Sequence, residues 1–200
     1  MKQKNEMKVV LCSVPIRTDR HEIGSDEPEI PKIAIVSLIN WMKKEGYSGD
    51  FFDIDILLPP EEEIFNYFKD KQPDVVGLSA VVSTSYHQVK DISKIIRKAY
   101  PSAAIVIGGN MAVSANLLLR KTEIDFCILG DGEITFVELL DYIREHGNKK
   151  LMDKLLKIKG LSFINKENEL EFTGYGSPIP DEENNYPDYD LLAKGFLTKP

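Results

Sequence analysis

Apolar positions recur along this chain in two rhythms. Short, near-continuous apolar runs lie at Lys8 to Ser13, about Asp50 to Ile56, Val75 to Leu78, Ala104 to Gly109 and Phe126 to Leu129. Between them the apolar residues return every three or four positions, from about Lys32 to Glu45, Glu61 to Asp70, Ser85 to Tyr100, Ser114 to Lys121 and Glu133 to His146. The first rhythm is that of strands buried on both faces, the second that of helices covering them. In the first helix Ile33, Val36, Ile39 and Trp41 cluster on one side, and Gly46 stops it. Pro59 and Pro60 before Glu61, Glu62 and Glu63 open the second helix with fixed φ and with acidic charge at the positive end of its dipole.

The reading is an α/β fold: a flavodoxin-like, Rossmann-type doubly wound parallel sheet of five strands in the order 2-1-3-4-5, with its crevice between strands one and three. Leu161 to Ile164 and Leu170 to Thr173 flank the turn-rich Asn165 to Asn168, which predicts a small C-terminal β-hairpin annex. Four stretches follow: a disordered N-terminus over 1–6, the Rossmann-like domain over 7–147, a helix and hairpin annex over 148–174, and a linker over 175–200 rich in Pro, Asp, Glu, Asn and Gly.

Composition narrows the function classes. The 200 residues carry a net charge of -7, against nucleic acid and anionic membrane surfaces as partners, which call for a concentrated basic face. Apolar runs fall short of the roughly 20 residues of a membrane span, and no secretory apolar region precedes the first strand, so a cytoplasmic protein is expected. The two cysteines, Cys12 and Cys127, sit in apolar strand contexts, where a small buried thiol is the plain reading; two thiolates are also too few for an iron–sulfur cluster.

Candidate chemistry collects where strands end. After the third strand come Gly77, Leu78, Ser79, Val81 and Ser83; one of Ser83, Thr84 and Ser85 should cap the next helix, while Ser79 is placed to bond a ligand at the switch point. Gly108, Gly109 and Asn110 end the fourth strand, and adjacent glycines serve either a tight turn or a close approach of backbone to a ligand. Neither a GxGxxG nor a P-loop spacing occurs. Gly130, Asp131, Gly132 and Glu133 precede a helix, so a carboxylate there either complements the helix dipole or accepts hydrogen bonds from sugar hydroxyls or amides. The long loop after the first strand, beginning Ser13, Val14, Pro15, holds Asp19, His21 and Gly24 in the spacing D-x-H-x-x-G. A histidine that binds a metal through one ring nitrogen is usually oriented by a carboxylate on the other, a part open to Asp19. A solvated loop histidine is the alternative.

Together these residues resemble the cobalamin-binding domain shared by methionine synthase, corrinoid methyltransfer proteins, mutases and cobalamin-dependent radical S-adenosylmethionine enzymes, over roughly residues 7 to 145. The resemblance implies cobalamin as cofactor, with His21 as candidate axial ligand of cobalt in place of dimethylbenzimidazole. It implies that Gly77, Ser79, Gly108 and Gly109 line a slot for the displaced nucleotide tail. The Gly130 to Glu133 turn, the annex and the segment Asn185 to Leu192 look most like the radical S-adenosylmethionine branch, whose barrel carries S-adenosylmethionine and a [4Fe-4S] cluster. The cluster motif C-x-x-x-C-x-x-C is not in this chain. The expected partner is therefore a C-terminal radical S-adenosylmethionine domain or a separate protein. This chain is expected to be a binding module without a complete active site. Its alternatives are a stand-alone corrinoid methyl carrier and a non-catalytic interaction domain without cofactor. Seven residues, Ser25 to Pro31, intervene between Gly24 and the first helix, a departure from the family's histidine-on members.

Overall fold

The structure is a computed structural model and describes residues 2–16 and 32–183. Asp19, His21 and Gly24, and the segment Asn185 to Leu192, lie outside the described residues. Seven strands form one sheet in the order β2-β1-β3-β4-β5-β6-β7. β1 (Val9–Ser13), β2 (Gly49–Asp53), β3 (Val75–Ser79), β4 (Ala104–Gly108) and β5 (Phe126–Ile128) are parallel, in the expected order. The expected hairpin, β6 (Leu161–Ile164) and β7 (Leu170–Phe172), forms where the sequence places it and extends the same sheet antiparallel from β5.

Alternation along each strand divides the core into two layers. Val9 and Leu11, Val75, Ala104 and Val106, and Phe126 and Ile128 face one cluster with α1 (Ile33–Lys44) and α6 (Glu133–His146). Val10 and Cys12, Val76 and Leu78, Ile105 and Ile107, and Cys127 face the other, under α3 (Glu61–Lys71), α4 (Tyr86–Ala99) and α5 (Ala115–Lys121). Strands covered on both sides need apolar residues in both phases, which is why their sequences run without polar alternation. Among the described residues no helix is long and apolar enough to cross a membrane.

Three local expectations change. The buried stripe of α1 is Ile35, Val36, Ile39 and Met42, while Ile33 is half exposed, since α1 begins at Ile33 and turns that residue outward. β2 ends at Asp53, because the Asp53 carboxylate accepts from the Ile56 N–H and starts the one-turn helix α2 (Ile54–Leu57). The hydroxyls before α4 do not cap it: Ser85 occupies the N-cap position, yet its Oγ donates to the Pro15 carbonyl at 2.8 Å. A second one-turn helix, α7 (Met152–Leu155), precedes the hairpin.

Candidate functional site

The register across the sheet sets the site. Leu11 pairs with Gly77, Gly77 with Val106 and Val106 with Phe126, so glycine stands in the middle of a row of large side chains on the α1 and α6 face. A Cβ on Gly77 would lie 2.6 Å from Leu11 Cδ2 and 3.4 Å from Phe136 Cζ. The missing side chain leaves a floor between them, and above it opens a cavity of about 330 Å³ at the carboxyl end of β1, β3, β4 and β5. Its apolar walls come from Ala34, Ile35 and Leu38 of α1 and Phe136 of α6, over Leu11, Val106 and Ile128.

The rim is polar and glycine-rich. Ser79, Asn110, Asp131 and Glu133 border the cavity, and among the described residues no hydrogen bond uses the side chains of Ser79, Asn110 or Asp131. Glu133 Oε1 accepts from Ser37 Oγ at 2.8 Å, tying the first turn of α6 to α1 across the top of the cavity. Its charge also lies at the favourable end of the α6 dipole. The two glycines ending β4 do different work. Gly109 takes φ of +84°, and a Cβ there would come 2.5 Å from the Ala80 carbonyl oxygen, so the turn itself requires glycine. A Cβ on Gly108 would meet nothing within 4 Å: its bareness serves the cavity and not the fold.

Ten residues singled out in the sequence meet here: Gly77, Ser79, Val81, Gly108, Gly109, Asn110, Gly130, Asp131, Gly132 and Glu133. Ser13, Pro15 and Ser83 do not line the cavity. Ser13 is buried and donates to Asp53 Oδ1, Pro15 is held through its carbonyl by Ser85, and Ser83 is exposed at the start of a 3₁₀ turn. Burial pushes the Asp53 carboxyl above its ordinary range, against the lowering effect of the Ser13 hydroxyl, the Ile56 N–H and Lys32. Both cysteines belong to the opposite core layer, and burial pushes the Cys127 thiol up to about 12. The apolar walls escaped notice in the sequence. The signal for them was a glycine inside β3, flanked in register by Leu11 and Val106.

An apolar, glycine-floored cavity with the polar side chains of Ser79, Asn110 and Asp131 at its mouth suits a ligand that is apolar where it enters and carries polar substituents at the rim.

Comparison with known proteins agrees with this shape. The family model described as B12 binding domain matches residues 23–140. An uncharacterized methyltransferase of Pyrococcus horikoshii is 31% identical over 191 residues, covering 93% of this chain and 39% of its own. The anaerobic magnesium-protoporphyrin IX monomethyl ester cyclase of a Synechocystis species is 24% identical over 170 residues, covering 82% of this chain and 32% of its own. The chain thus spans two fifths or less of the length of these relatives. Among solved structures, the cobalamin-dependent S-adenosylmethionine radical enzyme OxsB with aqua-cobalamin bound superposes with a TM-score of 0.74 at 18% identity, over 94% of this chain and 25% of that one. The radical S-adenosylmethionine methyltransferase TsrM from Kitasatospora setae, with cobalamin and a [4Fe-4S] cluster bound, gives 0.66 at 19% identity, over 90% of this chain and 31% of that one. With sheet order, switch-point cavity and family match in agreement, the chain belongs to the B12-binding domain family.

Proposed function

We propose that this chain is the cobalamin-binding module of a radical S-adenosylmethionine enzyme of methyltransferase or cyclase type. The cavity takes the nucleotide tail of the cofactor, and the corrin lies on the carboxyl edge of the sheet. One observation carries the reading: the Gly77 floor and the open space over Gly108 form a slot at the switch point of the sheet, where doubly wound folds bind their ligands. Leu11, Ala34, Leu38 and Phe136 exclude water from the tail. Ser79, Asn110, Asp131 and Glu133 are placed to bond its ribose hydroxyls and amides. When bound, cobalt carries a methyl group or modulates a radical; the protein contributes position and axial environment. His21, from the D-x-H-x-x-G loop, is the candidate lower ligand. S-adenosylmethionine and the [4Fe-4S] cluster belong to a separate domain or partner, in keeping with the relatives' greater length.

The test compares aquacobalamin with cobinamide, which has the corrin but no nucleotide tail. Retention of cobalamin through gel filtration, with cobinamide bound at least tenfold more weakly, supports the assignment. Equal affinities would sink the tail slot, and a colourless protein fraction would sink cobalamin binding.

A further inference from the structure

The turn that forms one lip of the cavity, Gly130 to Glu133, is held from outside by the hairpin annex. Lys159 and Gly160 lie between α7 and β6, and their two adjacent carbonyls reach opposite ends of that turn. The Gly160 carbonyl accepts from the Leu129 N–H at 2.8 Å, just before the turn. The Lys159 carbonyl accepts from Thr135 Oγ1 at 2.9 Å, just after it, in the first turn of α6. Thr135 is buried, and a buried hydroxyl needs a partner. It finds one 24 residues further along the chain, in the annex.

Two glycines let the annex come this close. Gly160 takes φ of +88°, and a Cβ there would lie 2.7 Å from Thr135 Oγ1. A Cβ on Gly176 would lie at the same 2.7 Å from that oxygen and 3.8 Å from the Asp131 carbonyl oxygen. The Gly160 N–H donates to the Gly174 carbonyl at 2.8 Å, which brings 174–176 alongside the threonine. The Thr135 side chain thus fills a socket made by Lys159, Gly160 and Gly176. Its neighbours in α6 belong to the cavity: Glu133 accepts from Ser37 Oγ, and Phe136 forms a wall. Asp131, at the cavity rim, sits between the two held ends.

We propose that Thr135 is a positioning residue of the cofactor site: by seating the annex against both ends of the Gly130 to Glu133 turn, it sets where Asp131 and Glu133 stand at the cavity mouth. This role rests on the reading of the cavity as a cobalamin site. Thr135 does not itself line the cavity, so it acts through the turn. A turn fixed in advance removes ordering that binding would otherwise have to impose, and the gain falls on the part of the ligand that the turn touches. The annex, an addition to the five parallel strands, thereby serves as a brace for the cofactor tail.

The test uses the full chain and three variants: Thr135→Val, which keeps the shape and loses the hydroxyl, Thr135→Ser, which keeps the hydroxyl, and Gly176→Ala, which crowds it. Tyr47→Phe is the control, since it removes a hydroxyl bonded to Asp141 at 2.8 Å, away from the cavity lining. Three quantities are read: the affinity for aquacobalamin, the affinity for cobinamide, and amide hydrogen exchange over 129–133 followed by mass, with thermal midpoints as a check on folding. Thr135→Val should exchange about fivefold faster over that stretch. It should bind aquacobalamin about tenfold more weakly, and cobinamide less than about threefold more weakly. Gly176→Ala should follow it, and Thr135→Ser should stay within about twofold of wild type. Tyr47→Phe should lower the midpoint with both affinities unchanged. Unchanged exchange in Thr135→Val would overturn the brace. Faster exchange with wild-type affinity, an equal loss for both corrinoids, or the same selective loss in Tyr47→Phe would overturn the positioning role. Thr135→Val decides even where Gly176→Ala fails to fold. Wild-type protein that binds no aquacobalamin, or binds it no better than cobinamide, would instead overturn the reading of the cavity, an outcome recognisable because it needs no variant.

Discussion

Gly108 offers a way to alter the proposed cofactor slot without touching the fold. A side chain built there meets nothing within 4 Å, and its backbone does not need the left-handed region. Gly108→Val places three carbons in the mouth of the cavity at the end of a strand, where a β-branched residue is favoured over glycine by up to about 1 kcal/mol. Folding stability should therefore hold or rise by a few tenths of a kcal/mol in urea denaturation. Binding should suffer. If those carbons take the place of on the order of 100 Å² of apolar tail contact, the loss at about 25 cal/mol per Å² is near 2.5 kcal/mol. That is between tenfold and a hundredfold in affinity for cobalamin. Cobinamide, lacking the tail, should lose less than threefold. The neighbouring Gly109→Ala is the contrast: its Cβ would strike the Ala80 carbonyl oxygen at a φ of +84°, so stability itself should drop by about 1–3 kcal/mol. Isothermal titration with both corrinoids separates the two effects. If Gly108→Val binds cobalamin as tightly as wild type, the cavity is not where the tail sits.

Further outcomes follow from the same geometry. Gly77→Ala drives a Cβ to 2.6 Å from Leu11 Cδ2 and should cost about 1–3 kcal/mol in urea denaturation by overpacking, with cobalamin affinity falling alongside. Ser37→Ala removes the hydroxyl that holds Glu133 at 2.8 Å; thermal denaturation should show a loss of about 1 kcal/mol, and titration a several-fold weaker cobalamin complex. Lys150, whose Nζ stands 3.2 Å from the centre of the Phe126 ring, has its amine lowered to about 8 by burial. The unfolded chain holds that proton up to about pH 10.4. Unfolding therefore takes up a proton between about pH 8 and 10.4, and wild type should gain roughly 3 kcal/mol over Lys150→Met across that range, measured by urea titration at each pH. Cob(II)alamin bound to protein labelled with nitrogen-15 histidine should give a doublet splitting in electron paramagnetic resonance that His21→Ala abolishes; retained cobalt without it would remove His21 from the lower face.

Much of the fold was legible because burial on both faces leaves an unmistakable apolar run. β1, β3, β4 and β5 begin and end within a residue or two of where that run places them, and each glycine or serine turn after β3, β4 and β5 borders the cavity. What the pattern could not carry was phase. In α1, Ile33 and Trp41 are as apolar as Ile35 and Met42, and only the packing against the sheet decides which pair goes inward. Ser83, Thr84 and Ser85 read as a helix cap, yet Ser85 gives its hydroxyl to Pro15, a carbonyl 70 residues earlier that local sequence cannot announce.

The same limit explains why half of the site stayed hidden. Leu11, Ile35, Leu38 and Phe136 are ordinary core residues in sequence, and they wall the slot only because Gly77 withholds a side chain among them. A glycine inside a buried strand costs stability, since it packs nothing and loses more chain entropy than any other residue. At Gly77 the space is taken by Leu11 and Phe136, which pack over the bare backbone and in doing so line the cavity. In the outer row, Ser79 pairs with Ser13 on one side and Gly108 on the other, and these two neighbours meet opposite fates: Ser13 is committed to Asp53, Gly108 is left bare. The edge of the sheet is thus divided in two. Over β3 and β4 it opens into the cavity; over β1 and β2 it is closed by hydrogen bonds and an ion pair among Ser13, Asp53, Asp55 and Lys32. The slot and the polar cluster are built on different strand ends, so substitutions at Gly108 should change what is bound while leaving the bonds of Ser13, Asp53 and Asp55 in place.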